Sequence, residues 1–307
     1  MTIKNGDGNL LLSIQKFSLL WSILIKNKHY MSGLLQRGIT AIIFVAVMLA
    51  GLYFSKNSFL ALFGLITILS LWEFYTIILK NDTHDFLRKI YGVAIGATPF
   101  LMAAYYHFGK IENGSEFLKN SILAFLPVLF FLFVIELFTK SKYPFANLGH
   151  LFLGLIYIGV PFTLAQFIAI DAGNYYPNII LGLLVLTWAN DTGAYMIGSQ
   201  IGKTPLFPRI SPNKTWEGSL GGVAVTFLIA WLLSIYVTEL SLPNWLVLAV
   251  LVSIFASIGD LIESMLKRSL GVKDSGTIMP GHGGFLDRFD AFIFLLPFAA
   301  SYLLFIR

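Results

Sequence analysis

The segment 178–198 reads NIILGLLVLTWANDTGAYMIG, a long apolar run that ends in a polar cluster with an acidic residue. Its length matches the about 20 residues that a helix needs to cross the hydrocarbon core of a bilayer. Eight further apolar segments of similar character occupy 39–54, 58–79, 90–107, 121–138, 148–170, 219–238, 243–263 and 289–306. The sequence therefore predicts an all-α, polytopic integral membrane protein with about nine transmembrane helices.

The composition of the 307-residue chain also indicates a membrane protein. Hydrophobic residues make up 57% of the chain and charged residues only 12%, whereas a soluble domain carries about 25% charged residues. The chain contains no cysteine, which excludes disulfides, thiolate nucleophiles and cysteine-ligated metals. Any catalysis must then use carboxylates, histidine, lysine, hydroxyl groups or a cation bound by oxygen.

The basic residues are distributed unequally between the two sides of the predicted membrane. When the loops are assigned alternately to the two sides, 17 Lys and Arg residues fall on the side of the N-terminus and 4 on the other. Basic loops favour the cytoplasm, so the sequence predicts a cytoplasmic N-terminus. The same asymmetry accounts for the net charge of +5, and no nucleic-acid partner is expected.

Three regions are predicted along the chain. Residues 1–38 form a cytoplasmic or interfacial segment, in which 10–25 (LLLSIQKFSLLWSILI) either spans the membrane or lies in its interface; Lys16 in mid-run favours the interface. Ionisable residues are scattered before position 186 and gather in three clusters after it. We therefore assign 39–177 to a transmembrane scaffold and 178–307 to a catalytic region whose site is on the cytoplasmic side.

The first cluster is 187–195 (TWANDTGAY), towards the cytoplasmic end of the sixth predicted span. A carboxylate inside a membrane helix is costly and for that reason marks a candidate functional residue. Asn190 and Asp191 are therefore candidate binding residues. The alternative is an interfacial aspartate that merely reaches water.

The second cluster is 202–218 (GKTPLFPRISPNKTWEG). It does not match a Walker A motif, which needs four residues between its first Gly and Gly-Lys-Ser/Thr; only three separate Gly198 from Gly202. Lys214 and Thr215 remain candidate phosphate contacts, because a lysine ammonium is a point charge for phosphate oxygens. The alternative is an ordinary basic cytoplasmic loop.

The third cluster, 259–290, combines acidic, basic and glycine residues. Asp260 closes the eighth predicted span, and Asp287 and Asp290 share a face at the start of the ninth. Carboxylates brought together in this way favour a cation, and an all-oxygen ligand set suits Mg²⁺. The basic residues nearby would bind phosphate oxygens, so the pattern is typical of a metal–phosphate site.

A glycine-rich loop lies within this third cluster. Gly281, Gly283 and Gly284 can expose their amides to an anion, although a tight turn between helices would use glycine as well. His282 between them either contacts phosphate and transfers a proton or makes a structural hydrogen bond.

The run 264–290, SMLKRSLGVKDSGTIMPGHGGFLDRFD, resembles the signature of the phosphatidate cytidylyltransferase (CDP-diacylglycerol synthase) family. The family pattern has a Ser, a Lys-Arg pair, a Lys-Asp pair, His-Gly-Gly, Asp-Arg and a final Asp, and all are present at family spacing. The segments 190–195 and 211–218 are similar to upstream family blocks. The resemblance covers about 186–297, and its one departure, Met279, is a conservative apolar exchange.

The resemblance implies a membrane nucleotidyltransferase of phospholipid biosynthesis that makes CDP-diacylglycerol from CTP and phosphatidate. It also implies a homodimer and dependence on Mg²⁺, with a K⁺ partner ion and with Asp260 and Asp287 as the Mg²⁺ ligands. The compact chain fits a bacterial plasma (inner) membrane, and an internal membrane is the alternative. Residues with a catalytic role would be Asp260, Lys267, Arg268, His282, Asp287 and Arg288. Substrate-binding residues would be Asn190, Asp191, Ser211, Lys214, Thr215, Glu217, Ser264, Lys273, Asp274, Gly281, Gly283, Gly284 and Asp290.

Two other functions fit part of the pattern. A CTP-dependent kinase acting on polyprenol, phytol or diacylglycerol would use similar groups, but it would release CDP instead of pyrophosphate. A cation-coupled transporter could use Asp191 and Asp260, although transporter carboxylates usually lie near the membrane midplane, whereas these two lie beside basic loops.

Overall fold

The computed structural model describes residues 33–79, 84–109, 113–276, 279 and 283–307. Across these residues the chain forms nine successive helices. They are α1 (Gly33–Phe54), α2 (Lys56–Ile78), α3 (Asp85–Phe108), α4 (Gly114–Thr139), α5 (Pro144–Ala169), α6 (Pro177–Ile201), α7 (Trp216–Tyr236), α8 (Leu242–Ser269) and α9 (Leu286–Ile306). The helix considered for 10–25 lies outside the described residues.

Each apolar segment predicted from the sequence coincides with one of these helices, which confirms the all-α polytopic fold. Within the described residues, seven helices are long and apolar enough to cross a membrane, namely α2 and α4 to α9. Helix α1 has a shorter apolar stretch, Gly38–Phe54, and α3 carries charged residues in its first turns. The count of nine crossings and the cytoplasmic N-terminus stay predictions.

Two of the long helices contain a π-helical turn, Leu155–Gly159 in α5 and Val252–Ala256 in α8. The first lies where α5 approaches α3 so closely that a side chain at Gly159 would collide with a backbone carbonyl. The second directly precedes the turn of α8 that carries Asp260. Because a π turn inserts one residue, it rotates the following helix face by about 100°.

Helix α9 is central in the fold and contacts α2, α5, α6 and α8. The ring of Phe289 in α9 packs edge-on against that of Phe162 in α5, and both side chains are fully buried. Helix α4 is peripheral, since 11% of its apolar window is buried against 50% for α9. The predicted regions 39–177 and 178–307 thus share one core, and the boundary between them stays a prediction.

Helices α6 and α7 pack closely through glycine. A Cβ atom at Gly222 would lie 2.7 Å from the backbone oxygen of Asn190, and one at Gly218 would lie 2.8 Å from that of Ala194. Small residues let membrane helices approach to backbone contact. This contact brings the polar end of α6 against the start of α7.

Two short antiparallel hairpins connect helices. β1 (Ile170–Asp171) pairs with β2 (Asn174–Tyr175) between α5 and α6. β3 (Pro205–Phe207) pairs with β4 (Ser211–Thr215) between α6 and α7, with an irregular register. The second hairpin gives a defined shape to the second polar cluster, which the sequence places only in a loop.

Candidate active site

The first two polar clusters both contact helix α8. In the first cluster, Asn190 Nδ2 on α6 donates to Ser257 Oγ on α8 at 3.1 Å. In the second, the Lys214 ammonium on β4 forms an ion pair with the Asp260 carboxylate. Sequence positions almost 70 residues apart therefore meet at the end of α8 that carries the third cluster.

Asp260 is the centre of a group of carboxylates. Asp191 and Asp290 both lie close enough to Asp260 to interact with it electrostatically. Ser264 Oγ, one turn along α8, donates to Asp260 Oδ1 at 3.3 Å. Lys214 supplies a positive charge beside these three carboxyl groups.

A second ion cluster joins α8 to α9. The Lys267 ammonium lies 2.8 Å from Asp287 Oδ1 and also pairs with Glu263. The Glu263 side chain has no exposed surface, and that of Lys267 is 13% exposed. The sequence analysis selected Lys267 and Asp287 but missed Glu263, which could have been found as an acidic residue within an apolar span.

The carboxylate of Asp287 organises the loop that precedes α9. It accepts from the backbone N–H of Ser275 at 3.1 Å and from that of Gly284 at 2.8 Å. Gly283 adopts φ +83°, which favours glycine. The sequence predicts that the Gly284 amide binds a substrate anion. In the structure this amide instead donates to the Asp287 carboxylate.

Glu73 is a second acidic residue that the sequence analysis missed. It belongs to α2, in the predicted scaffold, yet its Oε2 accepts from Ser275 Oγ at 3.2 Å and from Leu286 N at 2.9 Å. The residue is 3% exposed. Its signal in the sequence is the same as that of Glu263, an acid within an otherwise apolar run.

The loop between α6 and α7 is held by two side chains at its end. Thr215 caps α7, because its hydroxyl accepts from Gly218 N at 3.2 Å. Glu217 accepts from the backbone N–H groups of Lys203 and Thr204, both at 3.1 Å. These contacts fix β4 and therefore the direction in which Lys214 points towards α8.

Replacing Thr215 with alanine is expected to lower stability by about 1 kcal/mol, because the cap of α7 is lost. The thermal unfolding midpoint of the purified protein in detergent measures this effect. Thr215→Ser keeps the hydroxyl and is the matched control. If the alanine and serine variants had the same thermal unfolding midpoint, the capping role would be contradicted.

The other predicted residues occupy the rim of the site. Arg268 lies in the last turn of α8, Lys273 and Asp274 follow the helix, and all three are exposed. Arg288, in the first turn of α9, is exposed and interacts with another group of the protein. Ser211 is the first residue of β4. Two of the predicted site residues, Gly281 and His282, lie outside the described residues.

The site contains carboxylate oxygens, which are possible ligands for a metal ion. Among the described residues, no group of three or more His, Cys, Asp or Glu side chains could hold a metal on protein ligands alone. Mg²⁺ commonly takes one or two carboxylates and completes its shell with water and substrate phosphates. The two predicted ligands, Asp260 and Asp287, are carboxylates, the type of side chain that Mg²⁺ takes, and each forms an ion pair with a lysine.

A family model and several known proteins match this chain. The model of the cytidylyltransferase family matches residues 35–306. A phosphatidate cytidylyltransferase of Bacillus subtilis (strain 168) is 39% identical over 202 residues, which cover 65% of this chain and 72% of the relative. One from Staphylococcus haemolyticus is 38% identical over 189 residues, 61% and 71% of the two chains. One from Staphylococcus aureus (strain COL) is 40% identical over 161 residues, 52% and 60%.

The family match includes all nine helices except the first two residues of α1. It covers both the predicted scaffold and the three polar clusters, whereas the resemblance seen in the sequence was firm only over about 186–297. That resemblance is confirmed, and the chain belongs to the cytidylyltransferase family.

Proposed function

We propose that this protein is a phosphatidate cytidylyltransferase, which converts CTP and phosphatidate to CDP-diacylglycerol and pyrophosphate. The observation that carries the proposal is the junction of the three polar clusters, where the ion pairs Lys214–Asp260 and Lys267–Asp287 place ammonium groups beside carboxylates at one end of the helices. Such a reaction needs positive groups to bind the phosphates of the two substrates and negative groups to bind a cation, all at one position. The names of the bacterial relatives support the same reaction.

In the proposed reaction, a phosphate oxygen of phosphatidate attacks the α-phosphorus of CTP in line. The bond from this phosphorus to the oxygen that bridges to the β-phosphorus breaks, and pyrophosphate leaves with that oxygen. The nucleophile is already an anion, so the site needs no strong general base. Catalysis then depends on positioning two polyanions and on stabilising the charge of the leaving group.

The basic residues would bind the phosphates. Lys214 and Lys267 are held in place by carboxylates of α8 and α9, so their ammonium groups are positioned before substrate arrives. Arg268 and Arg288 add guanidinium groups, which pair with phosphate oxygens in a bidentate way. Hydroxyl and amide groups of the same junction are the further proposed substrate contacts, with Asn190, Ser211, Thr215 and Ser264 among them.

We further propose Mg²⁺, with K⁺ as a partner ion, at Asp260 and Asp287. One or two carboxylates are what Mg²⁺ commonly takes from a protein, and water and substrate phosphates complete its shell. When bound, the ion would neutralise charge on the triphosphate. Asp191 and Asp290 would order this part of the site or a second cation through their interaction with Asp260.

The proposed setting is the plasma membrane of a bacterial cell, with the site facing the cytoplasm. The asymmetry of basic residues supports this orientation, and the relatives are from bacteria. Phosphatidate would enter from the bilayer between helices and keep its headgroup at the surface, where CTP is available. A homodimer, which the family resemblance implies, is part of the proposal and is tested by the mass of the protein in detergent.

The proposed function is tested by measuring pyrophosphate release from purified protein in detergent. Pyrophosphate is expected only when CTP, phosphatidate and Mg²⁺ are all present. Omission of each component in turn is the control. Appearance of CDP together with a phosphorylated lipid alcohol would instead establish the kinase reaction. A folded sample that releases neither product would contradict both enzymatic functions.

A further inference from the structure

Glu73 links the first half of the chain to the segment that carries Asp287. The residue lies in the apolar helix α2. Burying a carboxylate there costs free energy, so its presence indicates a function. Its Oε2 accepts from Ser275 Oγ and from Leu286 N. These two donors stand at either end of one loop, so a single carboxylate ties both ends to α2.

The backbone of the loop is also in contact with the same carboxylate. A side chain at Gly276 would collide with the Glu73 side chain, and one at Gly284 would collide with Glu73 and Ser275. Both glycines therefore allow the backbone to lie directly against the carboxylate. The other oxygen, Glu73 Oε1, is buried and has no hydrogen-bond partner among the described residues.

The same loop also bonds to Asp287 of α9. Ser275 N and Gly284 N both donate to the Asp287 carboxylate, whose Oδ1 also contacts the Lys267 ammonium. Ser275 thus bonds to Glu73 through its hydroxyl and to Asp287 through its backbone N–H. A shift of the loop away from α2 would move the Asp287 carboxylate and, with it, the ammonium of Lys267.

We propose that Glu73 is a positioning residue for cytidylyl transfer, because it anchors both ends of the 275–286 loop and thereby fixes Asp287 and Lys267. It acts through Asp287. The catalytic part of this inference rests on the proposed function, and the anchoring part does not. A carboxylate is suited to anchoring the loop because its Oε2 accepts both hydrogen bonds. Its other oxygen, which lies against Gly276, carries no hydrogen.

The anchoring part is tested without substrates. Since the chain has no cysteine, Met279→Cys places a single thiol in the loop, and the rate of its reaction with a maleimide reports loop opening. Adding Glu73→Ala is expected to raise this rate about tenfold, as for a segment that opens locally more often. Glu136→Gln is the matched control, because Glu136 is a buried carboxylate of the scaffold that bonds to Arg88 and not to the loop; it should leave the rate unchanged.

The catalytic part is tested by steady-state kinetics with both substrates saturating. Glu73→Ala is expected to lower kcat about ten- to a hundredfold, since small displacements of catalytic groups have effects of that size. Glu73→Gln keeps one acceptor oxygen and should recover part of the loss. Glu136→Gln should leave kcat unchanged, although it weakens the scaffold.

A double-substitution cycle separates anchoring from general stability. Gly276→Ala must displace the Glu73 carboxylate, so it should lower kcat about as much as Glu73→Ala, and the double variant should be no worse than either single one. Additive losses would overturn the proposal, as would equal thiol reactivity with and without Glu73. A parent protein that makes no pyrophosphate would refute the proposed function while the thiol measurement still decides the anchoring.

Discussion

Replacement of Asp287 by asparagine is expected to lower kcat at least about a hundredfold, as does the loss of other key electrostatic groups. The Asp287 carboxylate accepts from the Lys267 ammonium and from two backbone N–H groups of the loop. An amide turns one acceptor oxygen into a donor, so one of these three donors must face another donor. The loop and the lysine are then both displaced, and a ligand proposed for Mg²⁺ is lost.

Pyrophosphate release measures this effect, with the amount of inserted, folded protein measured in parallel. Asp171→Asn is the control, because Asp171 lies in the β1–β2 hairpin between α5 and α6, and it should retain full activity. Near-normal turnover of the Asp287 variant would rule out both the metal ligand and the loop-ordering role of this residue.

Replacement of Lys267 by methionine is expected to abolish measurable activity and to destabilise the protein by about 3–5 kcal/mol, the usual cost of breaking a buried ion pair. The Lys267 ammonium is the cation between Glu263, which is fully buried, and Asp287. Without it, the buried Glu263 side chain and Asp287 both lose their ion-pair partner. The thermal unfolding midpoint and pyrophosphate release are measured on the same sample.

A second substitution separates these two effects of Lys267. Glu263→Gln in the Lys267→Met background replaces the buried carboxyl group with a neutral amide and should restore most of the stability. Activity should stay low, because Asp287 and the substrate phosphates still lack the ammonium. Lys119→Met, at an exposed position in α4, is expected to change neither quantity. Recovery of activity in the double variant would show that the ammonium serves stability alone.

The helices could be predicted from the sequence because a bilayer imposes a simple rule, a run of about 20 apolar residues for each crossing. The segment 178–198 coincides with α6 and 289–306 with α9 to within a few residues. The π turns were not predictable in this way, since nothing in the hydropathy of 252–256 distinguishes a π turn from an α turn.

The candidate site could be predicted only where its residues are grouped in sequence. Asp260, Lys267 and Asp287 stand within 28 positions of one another, and charge pattern alone selects them. The pairing of Lys214 with Asp260 depends on how α7 packs on α6 through glycine, a tertiary contact without a local signature. Glu73 was missed for the same reason, because its partners lie more than 200 residues further along the chain.

The hydrogen bond from Leu286 N to Glu73 also has a consequence for the synthesis of the protein, because it joins positions 213 residues apart. At about 5–20 residues per second, roughly 10–40 s pass between the emergence of the two ends of this contact from the ribosome. During that time α2 holds a carboxyl group whose backbone partner does not yet exist. A nascent chain that lacks α9 therefore has Lys267 of α8 but neither Asp287 nor the contact at Leu286. By the proposed mechanism, it does not consume CTP before its membrane insertion is finished.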